Sequence, residues 1–411
     1  MKNIYENEKI EQEVEWLSSI SDTLGDEGVS RLLYSEPWND AQTKLSDKLT
    51  SLDMEVYHDE IGNLFGRLEG SEFPDEVIAT GSHIDTVTNG GRLDGQLGII
   101  AGYLAIDHLR RTYGQPKRSL EVFAMAEEEG SRFPYAFWGS KNIFGLAKRS
   151  EVEDTHDADG VIFQDAMRNS GFEFKKDDTS ARTDLKGFIE VHIEQGITLE
   201  NQEKEVGIVN SIVGQKRFTV VLEGEANHAG TTKMSYRKDT VHCFSEFAVK
   251  AYAEAKRIGD PLVLTFGHVT PEPNTVNVIP GKLTFMIDTR HTSQEALDSF
   301  EEFLVKTLDE TCAEFGIKAN VDKWMDAAPV AMSDDIINVI EDSAKEMDLD
   351  YIVMHSGAGH DSQIIAPFVP TAMIFTPSIK GISHNPQEAT DVKYLSIAIT
   401  LLAKSLYELA Y

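Results

Sequence analysis

Residues 76–98 read EVIATGSHIDTVTNGGRLDGQLG. The first half is an apolar run that carries straight into His83 and Asp85, and the second is a glycine-rich turn around Asp94. A short apolar run that ends abruptly in polar residues is the pattern of a strand covered on both faces. From Gly95 to Tyr113 the period changes, with Leu97, Ile100, Leu104 and Leu109 near one face of a helix. The same rhythm recurs along the chain. Residues 119–126 (SLEVFAMA) run into Glu127, Glu128 and Glu129, and residues 187–193 (GFIEVHI) run into Glu194. Helices are expected over 11–20 and 39–52. Strands alternating with helices predict an α/β fold with a doubly wound, mostly parallel sheet. Such a sheet places its site at the carboxyl ends of its strands, where these polar residues crowd.

From Gly214 the order becomes β-α-β-β-α-β: a strand at 216–224, a helix at 239–258, strands at 262–270 and 282–291, a helix at 294–315 and a strand near 317–324. That is the split, ferredoxin-like arrangement of an α+β domain. After Pro329 the α/β rhythm returns, with a helix at 333–347, strand YIVMHS, turn GAGHD, strand TAMIF and a helix at 391–410. The expected organisation is one α/β domain in two segments, 1–213 and 329–411, interrupted by a smaller domain at 214–328.

The 411 residues are 41% hydrophobic, 26% charged and 9% aromatic, which excludes disordered, collagenous and low-complexity classes. Thirty-eight Lys and Arg against 69 Asp and Glu give a net charge of −31. That balance argues against nucleic acid or an anionic membrane as partner. A small anionic substrate would need a local cationic trap. Cys243 and Cys312 are too few for a disulfide framework, and nothing in the sequence supports a bridge between them. The segment MKNIYENEKIEQEVEWL has no apolar signal core, and no stretch of 18 apolar residues occurs. A soluble, cytoplasmic protein is expected.

His83 and Asp85 lie two apart on a strand and so point the same way, which lets Asp85 receive the ring N–H that a metal-bound His donates. Read alone, His-x-Asp is common, and Asp94 at a helix start is an ordinary cap. The run Glu127–Glu129 shifts the balance, because three carboxylates ending a buried strand are costly unless something positive meets them. Glu129 is a candidate ligand and Glu128 a candidate proton acceptor. His192, at another strand end, and His384, in GISHNPQ, add two imidazoles. Arg290, ending strand KLTFMIDTR, can grip a carboxylate with two prongs, which Lys cannot.

The segments GSHIDTVTNGGRLDGQLG, AMAEEEGSRFPYAFWGSKNIFG, VHIEQG, NHAGTT, NTVNVIPGKLTFMIDTRH, MHSGAGHDSQIIAP and GISHNPQE follow one another from end to end. In this the chain resembles the aminoacylase-like dinuclear metallohydrolases, and within them the N-carbamoyl amino acid amidohydrolase branch. The resemblance implies two divalent ions per subunit, Mn2+ foremost with Zn2+ or Co2+ as alternatives. It puts His83, Asp94 and His192 around one ion, Glu129 and His384 on the other, and Asp94 between them. It makes Asp85 the partner of His83, Glu128 the general base and His228 the donor to the developing oxyanion. Gln215 and Asn277 join Arg290 around a small anionic ureide, and Gly357, Gly359 and His360, beside Asp361, line the pocket. The implied reaction is hydrolysis of a ureido C–N bond. The implied assembly is a homodimer through residues 214–328, acting as a lid and dimerisation domain. The rival readings are hydrolysis of N-carbamoyl-L-amino acids or ureidopropionate and, more remotely, a non-catalytic metal-binding dimer.

Overall fold

The strand that carries the opening motif spans Phe73–His83 and is buried from Val77 to its end. In the computed structural model, which describes residues 3–23, 27–174 and 181–411, it pairs in parallel with Arg118–Met125 on one side and Leu185–Ile193 on the other. Thr371–Thr376 lies parallel to Leu185–Ile193 in turn. From Val77 onward in the first strand, and along almost the whole of the other three, these strands are buried, as strands covered on both faces must be. Helices Gln96–Tyr113 and Val392–Ala410 pack together and against this sheet. The second of them buries Leu395, Ile399, Leu402 and Leu406 at helical spacing.

The sheet's flanks are antiparallel, which the sequence reading did not include. Leu64–Leu68 joins Arg118–Met125 and is itself joined by Glu55–His58, while Val206–Ile212 runs antiparallel to Thr371–Thr376. Glu55–His58 has no fully buried position, so it leaves no apolar signature to read. The expected helices at 11–20 and 39–52 lie at Asn7–Ser18 and Glu36–Ser51. The second starts early because the Ser35 side chain accepts the Trp38 N–H and Pro37 fits the first turn. In register, His83 stands opposite Met125, and His192 opposite Phe375. The carboxyl ends of the four parallel strands therefore open on one edge.

The chain divides into two compact units, Met1–Asn210 with Ala331–Tyr411, and Ser211–Val330. In the second unit the strands run in the order Lys318–Ala327, Gly214–Glu223, Lys282–His291 and Val263–Glu272, all antiparallel. Helices Thr240–Ile258 and Gln294–Phe315, capped by Asp239 and Ser293, cover one face over a core that includes Phe218, Val220, Phe247, Phe285 and Phe300. Cys243 and Cys312 sit in this core as free thiols with their sulfurs 3.8 Å apart. Nothing in the sequence pairs them, because the contact is made by two helices settling on one sheet. Among the described residues no helix is long and apolar enough to cross a membrane.

Candidate metal centre

Asp94 is the hub. Its Oδ1 lies 3.1 Å from His192 Nε2 and 3.5 Å from His83 Nε2, and its Oδ2 lies 3.2 Å from His384 Nε2. The same His384 nitrogen is 3.2 Å from Glu129 Oε1. Ligand-type atoms converge within 4.8 Å in the sets His83–Asp94–His192 and Asp94–Glu129–His384, and also in His83–Glu128–Glu129 and Glu190–His192–His360. His83 and His192 end the strands Phe73–His83 and Leu185–Ile193, whereas Asp94, Glu128, Glu129 and His384 lie in loops.

The other ring nitrogens fix the tautomers. His83 Nδ1 donates to the main-chain oxygen of Asp85 at 3.0 Å, and His192 Nδ1 to that of Ile193 at 3.0 Å. With Nδ1 so engaged, each ring directs its Nε2 at Asp94, and a cation taking the place of the Nε2 proton would find that nitrogen already oriented. The Asp85 carboxylate is 3.5 Å from His83 Nδ1. Its oxygens instead accept the N–H groups of Glu128 and Glu129, at 3.0 and 3.2 Å. The expected partner of the ring is thus the backbone of Asp85, while its side chain shapes the acidic turn. Gly95 lets the helix start this close: a Cβ there would sit 2.4 Å from the His83 ring, and its φ is 68°.

The electrostatics call for a cation. Burial alone would lift the Asp94 carboxyl, but hydrogen bonds from His192, His384 and His83 hold it well below its usual range. Hydrogen bonds to Asp94 and Glu129 push His384 up to about 10. Burial opposes a charge on His83, yet the neighbouring Asp85 and Asp94 raise it well above an ordinary histidine. Burial lifts Glu128 far above the usual carboxylate range, with His83 opposing and Glu129, Asp361 and Asp85 adding to the rise. Glu127 is lifted in the same way by burial, Asp85 and Glu129, and among the described residues neither of its carboxylate oxygens has a hydrogen-bond partner. Asp361, held by Ser140 at 2.6 Å, is raised by burial and Glu190 to about 8. Imidazoles forced to hold protons among crowded buried carboxylates mark a place where divalent charge fits.

Several residues that the sequence did not single out complete the arrangement. Gln195 Nε2 and Ser383 Oγ donate to Asp94 Oδ2 at 2.9 and 3.0 Å. Glu388 is buried and accepts the N–H groups of Leu93 and Asp94, at 2.9 and 3.1 Å, and its other oxygen lies 3.0 Å from the Ser383 hydroxyl, whose single proton is shared between Glu388 and Asp94. Glu190 accepts the hydroxyls of Ser82 and Ser362 behind His192. Of the residues expected to line the pocket, His360 is buried with its ring edge-on to His192 at 4.6 Å and Nε2 on Ser356 Oγ at 2.9 Å. Gly359 leaves room for Phe137 and Gln363, whereas a Cβ at Gly357 would meet open space.

The remaining candidates lie in the second unit. His228 and Asn277 are exposed and adjoin through the short ladder of Asn227–His228 with Val278–Ile279 and the bond from Ala229 N–H to the Asn277 carbonyl. His228 Nδ1 accepts from Gly230 N–H at 3.0 Å, leaving the ring proton on Nε2 as an outward donor. Gln215 and Arg290 are cross-strand partners. Both meet Asp288: Gln215 at 2.7 Å, and Arg290 with a fork of 2.9 and 3.2 Å. Arg217, absent from the sequence reading, donates to the same carboxylate at 2.8 Å. Alternation along strand Gly214–Glu223 puts Gln215 and Arg217 on one face, a signal that was available.

The model of peptidase family M20/M25/M40 matches residues 79–408. Allantoate amidohydrolase of Escherichia coli (strain K12) is 52% identical over 403 residues, covering 98% of each chain. Allantoate amidohydrolase of Bacillus subtilis (strain 168) is 44% identical over 398 residues, covering 97% of this chain and 96% of that one. Among solved structures, a hydantoinase/carbamoylase family amidase from Burkholderia multivorans superposes with a TM-score of 0.92 at 26% identity, covering 98% of this chain and 97% of that chain.

Proposed function

Because this chain belongs to peptidase family M20/M25/M40, we propose that it is a metal-dependent amidohydrolase acting on allantoate, releasing one ureido group as ammonia and carbon dioxide and leaving ureidoglycine. The observation that carries this reading is one carboxylate, Asp94, shared by three imidazoles with Glu129 beside them. It stands in a chain that matches allantoate amidohydrolases over nearly its whole length. His83, Asp94 and His192 would hold one divalent ion, and Asp94, Glu129 and His384 a second. Imidazole and carboxylate donors suit Mn2+, with Zn2+ or Co2+ as substitutes.

When bound, the ions lower the pKa of a water towards 7 and offset charge on the developing oxyanion. Glu128 accepts the proton of the attacking water and returns it to the leaving nitrogen. Its buried, acid-crowded setting raises its affinity for that proton. His228 donates its Nε2–H to the carbonyl oxygen as negative charge builds there. Arg290 takes the substrate carboxylate, helped by Gln215 and Asn277. The test is ammonia release from the Mn2+-loaded protein offered allantoate, N-carbamoyl-L-amino acids and ureidopropionate. Allantoate should give the highest kcat/KM, and preference for a carbamoyl amino acid would overturn the substrate assignment.

Asp288 holds the Arg290 guanidinium by a fork, which fixes its orientation, and a substrate carboxylate would be met from that fixed position. Arg290→Lys keeps the charge but loses the fork, so it should lower kcat/KM for allantoate. A charge-assisted hydrogen bond lost here is worth about 1.5–3 kcal/mol, or roughly 10- to 150-fold. Unchanged kcat/KM in Arg290→Lys and Arg290→Ala, with metal retained, would place the carboxylate elsewhere.

Strand Val263–Glu272 ends the order of its sheet, and Val263 and Val269 on it are exposed. An open edge of ten residues invites pairing with a second copy. The reading is a cytoplasmic homodimer joined through the second unit, with neither nucleic acid nor membrane as partner. Light scattering should return twice the chain mass at micromolar concentration. A fully active monomer would remove the dimer.

A further inference from the structure

We infer that Glu388 is a positioning residue of the metal centre, setting the placement of Asp94 against His384 and so the affinity of the second ion far more than that of the first. The inference rests on the proposed division of the ligands between two ions. The Glu388 carboxylate is 3% exposed and both of its oxygens are committed. One takes the N–H groups of Leu93 and Asp94, and the other takes the Ser383 hydroxyl. That hydroxyl also stands 3.0 Å from Asp94 Oδ2. A single side chain thus ties the loop carrying one ligand to the loop carrying another, nearly 300 residues apart in sequence.

Two further observations show a turn built around this carboxylate. A Cβ on Gly91 would lie 2.0 Å from Glu388 Oε1, so only glycine leaves it room. His384, the residue after Ser383, has φ 53°. A left-handed backbone at a non-glycine residue persists only where its surroundings hold it.

The asymmetry follows from where the ligands sit. His83 and His192 end buried strands, and main-chain oxygens already fix both rings. His384 is half exposed on a loop, and Glu129 lies in the acidic turn. Losing Glu388 leaves the first pair anchored and lets Asp94 and His384 drift apart. Glu388 reaches no reacting atom in this account and acts only through its neighbours. A glutamine would keep most of the function: its carbonyl oxygen can accept both N–H groups, and its amide can donate to the Ser383 oxygen.

The experiment is calorimetric titration of chelator-stripped protein with Mn2+, comparing the unaltered chain with Glu388→Ala, Glu388→Gln, Ser383→Ala and Gly91→Ala. Circular dichroism checks that each metal-free variant is folded. Removing a partner of this kind weakens metal binding by about 10- to 100-fold. Glu388→Ala should show that loss at one of two sites, with the other within about threefold. Gly91→Ala should weaken the same site, and Glu388→Gln should recover most of the affinity. Equal loss at both sites, or loss at neither, would overturn the inference. The Gly91→Ala and Ser383→Ala titrations decide it if Glu388→Ala does not fold. A single binding event in the unaltered chain would overturn the two-ion reading instead.

Discussion

Glu128→Gln should bind as much divalent metal as the unaltered enzyme while hydrolysing allantoate about 10²- to 10⁴-fold more slowly, the usual worth of a general acid–base. The amide has the shape of the acid but cannot take a proton from water or return it to nitrogen. The geometry makes this test necessary, because His83, Glu128 and Glu129 also converge closely enough to hold an ion. What favours Glu129 as ligand is its distance of 3.2 Å to the His384 nitrogen that also meets Asp94. Metal analysis and steady-state kinetics on Glu128→Gln and Glu129→Ala separate the roles. If Glu128→Gln loses metal as Glu129→Ala does, the two have been interchanged.

Asp94→Ala should have the larger effect and a different signature. Because one carboxylate serves both sets of ligands, its removal should lower occupancy of both ions together, where Glu129→Ala removes one. Without the ions that would activate the attacking water, turnover should fall by at least about 10³-fold, roughly 4 kcal/mol. Without Asp94 the three imidazoles lose the anion that holds their protons, so their titration should fall back toward the ordinary range for histidine. Elemental analysis after dialysis against micromolar Mn2+ reads the first effect, and NMR of the metal-free histidines the second. An Asp94→Ala protein that keeps one ion at full occupancy would show that the carboxylate is not shared.

How much of this could be read from the chain depends on how each feature is encoded. The central strands were legible because a strand buried on both faces leaves a continuous apolar run, and His83 and His192 were conspicuous as polar interruptions at its end. Glu55–His58 and Leu64–Leu68 were not, being short and only partly buried. Glu388 and Ser383 lie within GISHNPQE, a motif noticed for its histidine. Their part depends on a turn nearly 300 residues away, which no local pattern reveals. The Asp85 side chain was given to His83 on strand alternation and on the family resemblance. The backbone oxygen of the same residue reaches the ring better, and the carboxylate is left for the N–H groups of Glu128 and Glu129. Arg217 and Asp288 share the open sheet face with Gln215 and Arg290, and alternation would have found them had it been applied to that sheet. The contact of Cys243 with Cys312 belongs to tertiary packing and has no signature in either helix.

The order of strands also governs how the protein is made. Thr371–Thr376 lies inside the sheet, between Leu185–Ile193 and Val206–Ile212, strands synthesised more than 150 residues earlier. Until that strand emerges, the ribosome-bound chain holds two strands with a gap between them and unpaired backbone on both sides. His384 and Glu388 emerge later still, so the cluster of Asp94, Glu129 and His384 cannot assemble before the polypeptide is almost complete. Late, long-range insertion of this kind is slow and leaves strand edges open to wrong pairing. A chain cut short before residue 371 therefore lacks both His384 and a central strand of the sheet, and its unpaired strand edges make it an aggregation hazard.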